Sequence, residues 1–474
     1  MNNSLKNGVF PQTIKQSHII PIKKSKTSDQ NILSNYRPIS NISFLSKILE
    51  KSALTQLLDH LNCNNLFMKE QSAYKSNHSC ETALIKITND VLSVLNSSTN
   101  VVVIFLDFTA AFDTICHQHL LCKLNKQYGL VGNVLKWFES YITDRTFKVK
   151  IKDQMSQGTK LRFGVPQGSV MGPILFGLYT QDIKEILKKY DLNFHVFADD
   201  IQIYTTIEKN NDEDSKINNC LIDIKSWAER NFLKLNDKKT KFLQIKTKHS
   251  KISTDDFFIT ETEFKFESWV KNLGMIIDEN LNFKKQINEV CRVGFFVIRQ
   301  LWRIASKINS VALKIQLVHA CILSKIDYGN SLYIDLPQKE IKKLQRLLNA
   351  AVRFIFHITE RKTRITPFLK KAHILPVHLR IKFKILVMVY KCTNKMAPGY
   401  LSETVEVKKS LESLRISKDT SLLKIPHLES QNYKNRRFEI TAPRLWNTLP
   451  KSLRDSGTLS IFKSELKTFL FNQF

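Results

Sequence analysis

The sequence predicts an α+β fold, an antiparallel sheet with helices on one side, followed by a mainly helical second half. Three observations carry that expectation. Val101 to Leu106 is an apolar, mostly β-branched run that stops at Asp107, the composition of a buried strand delivering a carboxylate to its end. Phe194 to Tyr204 has apolar residues on both sides of the adjacent acids Asp199 and Asp200, and Ile201, Gln202 and Ile203 alternate, which predicts a hairpin turning at or near the acids. Past Phe283 apolar positions recur at helical spacing, as in Ile341, Leu344, Leu348, Ala351 and Ile355.

Taken in chain order, the alternation from His18 to Ile22 predicts a strand running into a basic loop, Lys23-Lys24-Ser25, and a polar stretch to Asn35. Leu45, Ile48, Leu49, Leu54, Leu57, Leu58 and Leu61 predict an amphipathic helix from Ser43 to Leu61, and Glu81 to Leu95 repeats the pattern. The glycines and Pro166 in 163–169 predict a turn in which Gln167 and backbone groups can meet a ligand, with a packed helix after Gly172. Thr205 to Lys216 reads as a polar surface loop, and a helix over Asp223 to Phe232 follows, begun at Ile217. Lys238 to Lys251 holds lysines 238, 239, 241, 246, 248 and 251 and no acid, either a solvated face or a nucleic-acid contact. Residues 402–436 read as an irregular linker. A last helix, Ser460 to Phe471, places Phe462, Leu466, Phe469 and Leu470 on one side.

With 474 residues, 43% of them apolar, the chain can bury a substantial core and divide into roughly two to four domains. Its 72 Lys and Arg against 43 Asp and Glu give a formal charge of +29, which points to a polyanionic partner, nucleic acid before acidic membrane. No apolar run approaches the roughly 18 to 20 residues of a spanning helix, and MNNSLKNGVF lacks the layout of a signal peptide. An intracellular protein without a membrane partner is expected. The eight cysteines form no CxxC pair, so they are expected to be free thiols, mostly filling core.

The acids carry the chemistry. Nucleotidyl transfer needs an activated 3′-hydroxyl and a neutralised pyrophosphate, and two magnesium ions held by carboxylates from separate elements supply both. A strand ending in Asp107 and a hairpin turning at Asp199-Asp200 meet that requirement. Neighbouring side chains of a strand face opposite ways, so Asp199 is expected to be the main ligand and Asp200 to support it. An adjacent acid pair alone is common at turns, and only its conjunction with the other segments gives it weight.

The strings NYRPIS (35–40), FLDFTAAFD (105–113), GVPQGSVMGPILF (164–176), FADD (197–200) and LKLNDKKT (233–240) stand in the order found in reverse transcriptases. They most closely resemble those of non-LTR, LINE-type retrotransposons of the jockey kind. The resemblance extends through Leu273-Gly274 to ITAPRLWNTLP (440–450). It implies a right-hand polymerase fold, with fingers and palm over 1–278, a helical thumb over 285–370 and a helical C-terminal region over 371–474.

The resemblance further implies that Asp107, Asp199 and Asp200 are the catalytic, metal-binding triad. Phe112 would be the aromatic gate that excludes a 2′-hydroxyl, Gln167 would line the nucleotide pocket, and Ala198 would be the small residue before the turn acids. Arg37, with Lys23 or Lys24, would hold the triphosphate, Arg by its bidentate fork and Lys as a point charge. Lys239 would be either a proton donor to pyrophosphate or a solvated lysine, and Asp113 a structural residue. Lys342, Lys343, Arg346 and Arg353, on the basic side of the 339–358 helix, are expected to grip the template–primer duplex by its backbone.

The implied cofactors are two Mg²⁺ ions, with Mn²⁺ as an alternative. The implied partners are template RNA, a DNA primer or target DNA, and dNTPs. The resemblance also implies a 5′-truncated element whose endonuclease comes from a full-length element protein, made in the cytoplasm and working in the nucleus. Two rival readings remain at this level, an RNA-binding protein without activity and an intron-type reverse transcriptase that aids splicing.

Overall fold

In a computed structural model, the structure describes residues 2–25, 27, 29–95, 100–207, 211–246, 265–408, 421–427 and 434–474. Eleven strands appear among them: β1 (Ser17–Lys23), β2 (Tyr36–Ile42), β3 (Asn100–Leu106), β4 (Thr146–Ile151), β5 (Gln154–Met155), β6 (Thr159–Lys160), β7 (Asn193–Phe197), β8 (Asp200–Ile207), β9 (Lys241–Ile245), β10 (Trp269–Asn272) and β11 (Met275–Asp278).

The central sheet has the order β7-β8-β3-β9, with every neighbour antiparallel. The run Val101 to Leu106 forms β3, one of its two inner strands, and the predicted hairpin forms β7 and β8 beside it.

Helices cover both faces of this sheet, where the sequence reading expected one. Val101 and Val103 join Tyr204, Leu243 and Ile245 in one core, while Val102, Ile104 and Leu106 join Ile201, Ile203 and Phe242 in another. The first core is closed by the helix Cys80–Leu95 and by later helices, Lys284–Arg303, Gln338–Ile355, Val377–Thr393 and Leu459–Asn472. The second is closed by Phe44–Cys63, His117–Lys126, Gly132–Ile142, Gly172–Thr180 and Asn211–Arg230. An uninterrupted apolar strand is the pattern of double burial, because side chains that alternate between faces are apolar throughout only when both faces are dry.

A second sheet runs β2-β1-β4-β5, with β6 also paired to β4. β1 is antiparallel to β2, with Ile22 opposite Arg37, and parallel to β4. A separate hairpin joins β10 and β11 through Leu273 and Gly274, both at positive φ (44° and 80°).

Several local expectations need correction. The stretch read as a loop over 205–216 is shorter, since β8 runs to Ile207 and the helix starts at Asn211. Its polar first turns carry no apolar period, so helical spacing becomes visible only from Ile217. The cysteines are free, but only Cys220 and Cys392 are buried, so they are not mainly core filler.

Within 402–436, Val407 bridges to Leu423, which is buried; 409–420 and 428–433, like Lys248 and Lys251, lie outside the described residues. The last helix is Leu459–Asn472, begun by Thr458, whose side chain accepts from the Ile461 N–H at 3.3 Å. Its Phe462, Leu466 and Leu470 are buried and Phe469 is half-buried. Among the described residues no helix is long and apolar enough to cross a membrane.

Candidate active site

Three aspartates stand at one end of the central sheet, Asp107 just past β3 and Asp199 and Asp200 at the hairpin of β7 and β8. Pairing of β3 with β8 ends at Leu106 opposite Ile201, and one further step of the same register sets Asp107 against Asp200. Phe197 pairs with Asp200, leaving Ala198 and Asp199 as a two-residue loop. Ala198 takes φ +60°, the left-handed conformation that such tight hairpins demand at a central position. Its N–H is held at 3.0 Å by Oε1 of Gln71, which also accepts from Ala73 N–H at 2.8 Å. Asp107 is fixed from the other side: its carbonyl accepts from Asn236 N–H at 2.8 Å, and Thr109 N–H reaches the Lys234 carbonyl at 2.8 Å. The segment LKLNDKKT therefore lies along the strand end, and Lys239 Nζ sits 3.1 Å from Asp107 Oδ2.

The charge of Asp107 bears on both acids of the hairpin. Desolvation, followed by the charges of Asp199 and Asp107, pushes Asp200 up to about 6, although its side chain is exposed in surface terms; Lys239 opposes the shift. Asp199 is raised chiefly by desolvation, and its own backbone N–H outweighs the upward push from Asp107; the charges of Arg37 and Lys239 also pull it down.

A raised carboxyl keeps its proton in the folded chain at pH values where the unfolded chain has lost it. The contribution of Asp200 to metal-free stability is therefore expected to fall as pH rises from 3.8 towards about 6, while buried His195, pushed down to about 3, contributes in the opposite sense. Thermal melts across that window should show Asp200→Asn gaining stability relative to the wild type as pH rises.

The donors are hard carboxylate oxygens, the type that magnesium takes, and their mutual repulsion is what a divalent cation relieves. Among the described residues no three such groups converge tightly enough to hold an ion as they stand. Lys239 lies against Asp107 instead.

Phe112 follows Asp107 by one short turn, the 3-10 segment Ala111–Asp113 entered through left-handed Ala110 (φ +51°). Its ring stacks on Phe176 with centroids 4.8 Å apart. The glycine-rich turn packs directly on it: Val165 N–H donates to the Phe112 carbonyl at 2.9 Å. Gly164, at φ +81°, leaves no space for a Cβ, which would meet the Phe112 oxygen at 2.7 Å and Asp113 Cα at 2.8 Å. Gln167 gives its amide N–H groups to both oxygens of Asp113, at 2.9 and 2.8 Å.

Beneath the turn, buried Glu50 accepts from the Val170 and Met171 N–H groups at 2.7 and 3.3 Å. It thus sets a negative charge at the start of the helix Gly172–Thr180.

The second sheet brings Arg37 and Lys24 to the same place. Lys24 N–H donates to the Asn35 carbonyl, extending the β1–β2 ladder, so Lys24 shares a face with Ile22 and Arg37 while Lys23 faces the other way. The charge of Lys24 reaches Asp113, whose carboxyl is raised first by desolvation and lowered by Gln167 and then by Lys24. The Ser40 N–H donates to the Gln167 carbonyl at 2.7 Å, docking β2 on the turn.

The expected duplex contacts divide. Lys342 and Arg346 are exposed, whereas Lys343 binds Glu340 and Asn288 (2.7 and 2.9 Å) and Arg353 binds the carbonyls of Arg361 and Thr363 (2.9 and 3.0 Å).

Sequence reading missed Gln71 and Tyr74. Tyr74 is left-handed (φ +60°) and half exposed, and its hydroxyl is raised by burial and then by the charge of Asp199. Both lie in the segment that bridges onto β7 at Val196, and only a long-range pairing brings them there. The left-handed tyrosine in a polar stretch gave no local signal.

The family model described as reverse transcriptase (RNA-dependent DNA polymerase) matches residues 22–277. The probable RNA-directed DNA polymerase from transposon BS of Drosophila melanogaster is 26% identical over 363 residues, 75% of this chain and 40% of that protein. The RNA-directed DNA polymerase from mobile element jockey of the same fly is 25% identical over 357 residues, 74% of this chain and 38% of that protein. The chain thus spans about two fifths of the length of these curated relatives. Apo telomerase from Candida Tropicalis covers 82% of this chain and 68% of its own, at 14% identity and a TM-score of 0.43. The family match takes in Asp107, the glycine-rich turn and the acid hairpin together, over more than half of the 474 residues, and the chain belongs to the reverse transcriptase family.

Proposed function

We propose that this chain is the RNA-directed DNA polymerase part of a jockey-like non-LTR retrotransposon protein, adding dNTPs to a primer 3′-hydroxyl. The observation that carries the reading is Asp107 at the end of β3 with Asp199 and Asp200 at the adjoining hairpin, beside the Phe112–Gln167 platform. Asp107 and Asp199, assisted by Asp200, would hold two magnesium ions, or manganese in their place, which activate the attacking hydroxyl and neutralise the leaving pyrophosphate. Arg37 and Lys24 offer the triphosphate a bidentate fork and a point charge from one face of β1–β2. Lys23, on the opposite face, is set aside as the triphosphate lysine. Lys239, which rests on Asp107, would be the proton donor to a departing pyrophosphate.

In this reading residues 1–278 are fingers and palm, 285–370 the thumb and 371–474 a C-terminal helical region. Lys342 and Arg346 are the thumb's candidates for backbone contact with duplex. Template RNA, a DNA primer and dNTPs are the partners, and an endonuclease from a full-length element protein would open the target in the nucleus.

The test is primer extension. Purified protein with Mg²⁺ is expected to extend a DNA primer on an RNA template; protein that binds the primer–template and never extends it would falsify the enzymatic reading.

Phe112 supplies a finer check. A rigid ring held against Phe176 can reject a 2′-hydroxyl by clash. Phe112→Val is expected to lower discrimination against ribonucleotides on the order of 10²-fold, read as the ratio of kcat/KM for dNTP and rNTP.

A further inference from the structure

Away from the three acids, a cavity of about 380 Å³ lies among the C-terminal end of the helix Phe44–Cys63, the segment 65–75 and the helix Ile183–Lys189. Its wall carries Lys69, Lys75, Lys184 and Lys188 against the one carboxylate of Glu70, and the ring of Phe67 forms part of the lining. Lysines spread over a convex surface are ordinarily a solvated face. Here they line one concavity, where charge of a single sign focuses the field on whatever enters.

Little inside the protein offsets that charge. Lys69 and Lys188 are exposed and form no ion pair among the described residues, and Lys184 meets only its neighbour Glu185 at 3.7 Å. Lys75 is half-buried; its Nζ donates to the Met68 carbonyl at 3.1 Å and lies 5.5 Å from the centre of the Phe67 ring. Burial pushes Lys75 down despite Glu70, so an anion in the cavity would favour its charged form.

Ammonium groups beside an aromatic ring suit an unpaired nucleotide, with phosphate on the lysines and base on the ring. The volume falls near the lower end of small-ligand sites, roughly 300 to 1,000 Å³, which fits one nucleotide and not a duplex. The segment that walls the cavity also continues to the acids: Gln71, next to Glu70, holds the Ala198 N–H at 3.0 Å.

We propose that this cavity binds one nucleotide of the single-stranded nucleic acid lying outside the polymerase cleft, its phosphate on Lys69, Lys75 and Lys188 and its base against Phe67. Naming that strand as template rests on the polymerase reading above.

The test compares full-length wild type with the double variant K69E/K188E, both positions being exposed. The probes are a fluorescein-labelled primer–template with blunt ends and the same duplex with a ten-nucleotide single-stranded template overhang. The variant is expected to bind the overhung probe at least tenfold more weakly and the blunt probe as the wild type does. Its slope of log affinity against log salt on the overhung probe should be shallower by about 1.4, roughly 0.7 for each lost contact. Phe67→Ala should weaken binding of the overhung probe about tenfold.

Equal affinity of variant and wild type for the overhung probe, or equal loss on both probes, overturns the proposal. So does displacement of the overhung strand by free dNTP as effectively as by an unlabelled single-stranded oligonucleotide. Primer extension without any overhang effect removes the cavity site alone. An overhang effect in protein that never extends a primer leaves the cavity site standing and removes the polymerase reading.

Discussion

Asp199→Asn is expected to slow primer extension by at least about 10³-fold, with primer–template affinity unchanged. Removing one of the carboxylates that would hold the metals forfeits several kcal/mol of transition-state stabilisation, and each 1.36 kcal/mol is tenfold in rate. Asp107→Asn should match it and Asp200→Asn should be milder. That ranking is exposed to a direct challenge from the register, which sets Asp200 and not Asp199 opposite Asp107. Single-turnover rates for the three variants decide it: a loss in Asp200→Asn as deep as in Asp199→Asn reverses the order. Folding serves as the control. Asp199 is raised, so its charge costs stability, and the asparagine variant should melt no lower than the wild type near neutral pH.

Gly164→Ala is the second large effect. At φ +81° a non-glycine residue is strained, and its Cβ would fall 2.7 Å from the Phe112 carbonyl oxygen, which is backbone and cannot step aside cheaply. Left-handed strain of about 1 to 2 kcal/mol and overpacking of about 1 to 3 kcal/mol together predict a loss of about 2 to 5 kcal/mol. Denaturant titration measures it. Because the same contact seats Phe112 and Asp113, the KM for dNTP should rise as well. Gly177→Ala is the matched control: nothing lies within 4 Å of its Cβ and it sits inside the helix Gly172–Thr180. It should be neutral or stabilising by up to about 1 kcal/mol. Comparable destabilisation by both substitutions would remove the role given to the Phe112 contact.

The three acids were legible because each is marked locally. Asp107 ends a strand whose composition announces it, and Asp199-Asp200 interrupts an alternating pattern at a turn. Gln167 was legible as part of a glycine-rich turn, but its bond to Asp113 was not, since 54 residues separate them. Lys23 and Lys24 are indistinguishable as neighbours in sequence, and only the ladder with β2 decides which one shares a face with Arg37.

Gln71 and Tyr74 were invisible for the same reason, since the residue that Gln71 steadies stands 127 positions later. The thumb lysines and arginines show the opposite failure. Helical spacing correctly put Lys343 and Arg353 off the apolar stripe, yet nothing in the spacing indicates that Asn288 and the 361–363 carbonyls would engage them. The strands β4 to β6 lie in a stretch of mixed polar residues, and their pairing with β1 and with one another is fixed by tertiary contact.

The double covering of the central sheet bears on how the chain comes into being. All four strands of that sheet have left the ribosome long before the helices around Trp446 and Phe462, which help to close the core holding Val101, Val103 and Leu243. For that interval the nascent polypeptide carries the edge with the three acids above a hydrophobic floor that only the helix Cys80–Leu95 and its neighbours have begun to cover, a species prone to aggregation. The edge that bears the three acids is thereby tied to translation reaching the helices around Trp446 and Phe462. A ribosome that stops after the matched family segment releases all three acids without the floor that keeps their sheet soluble.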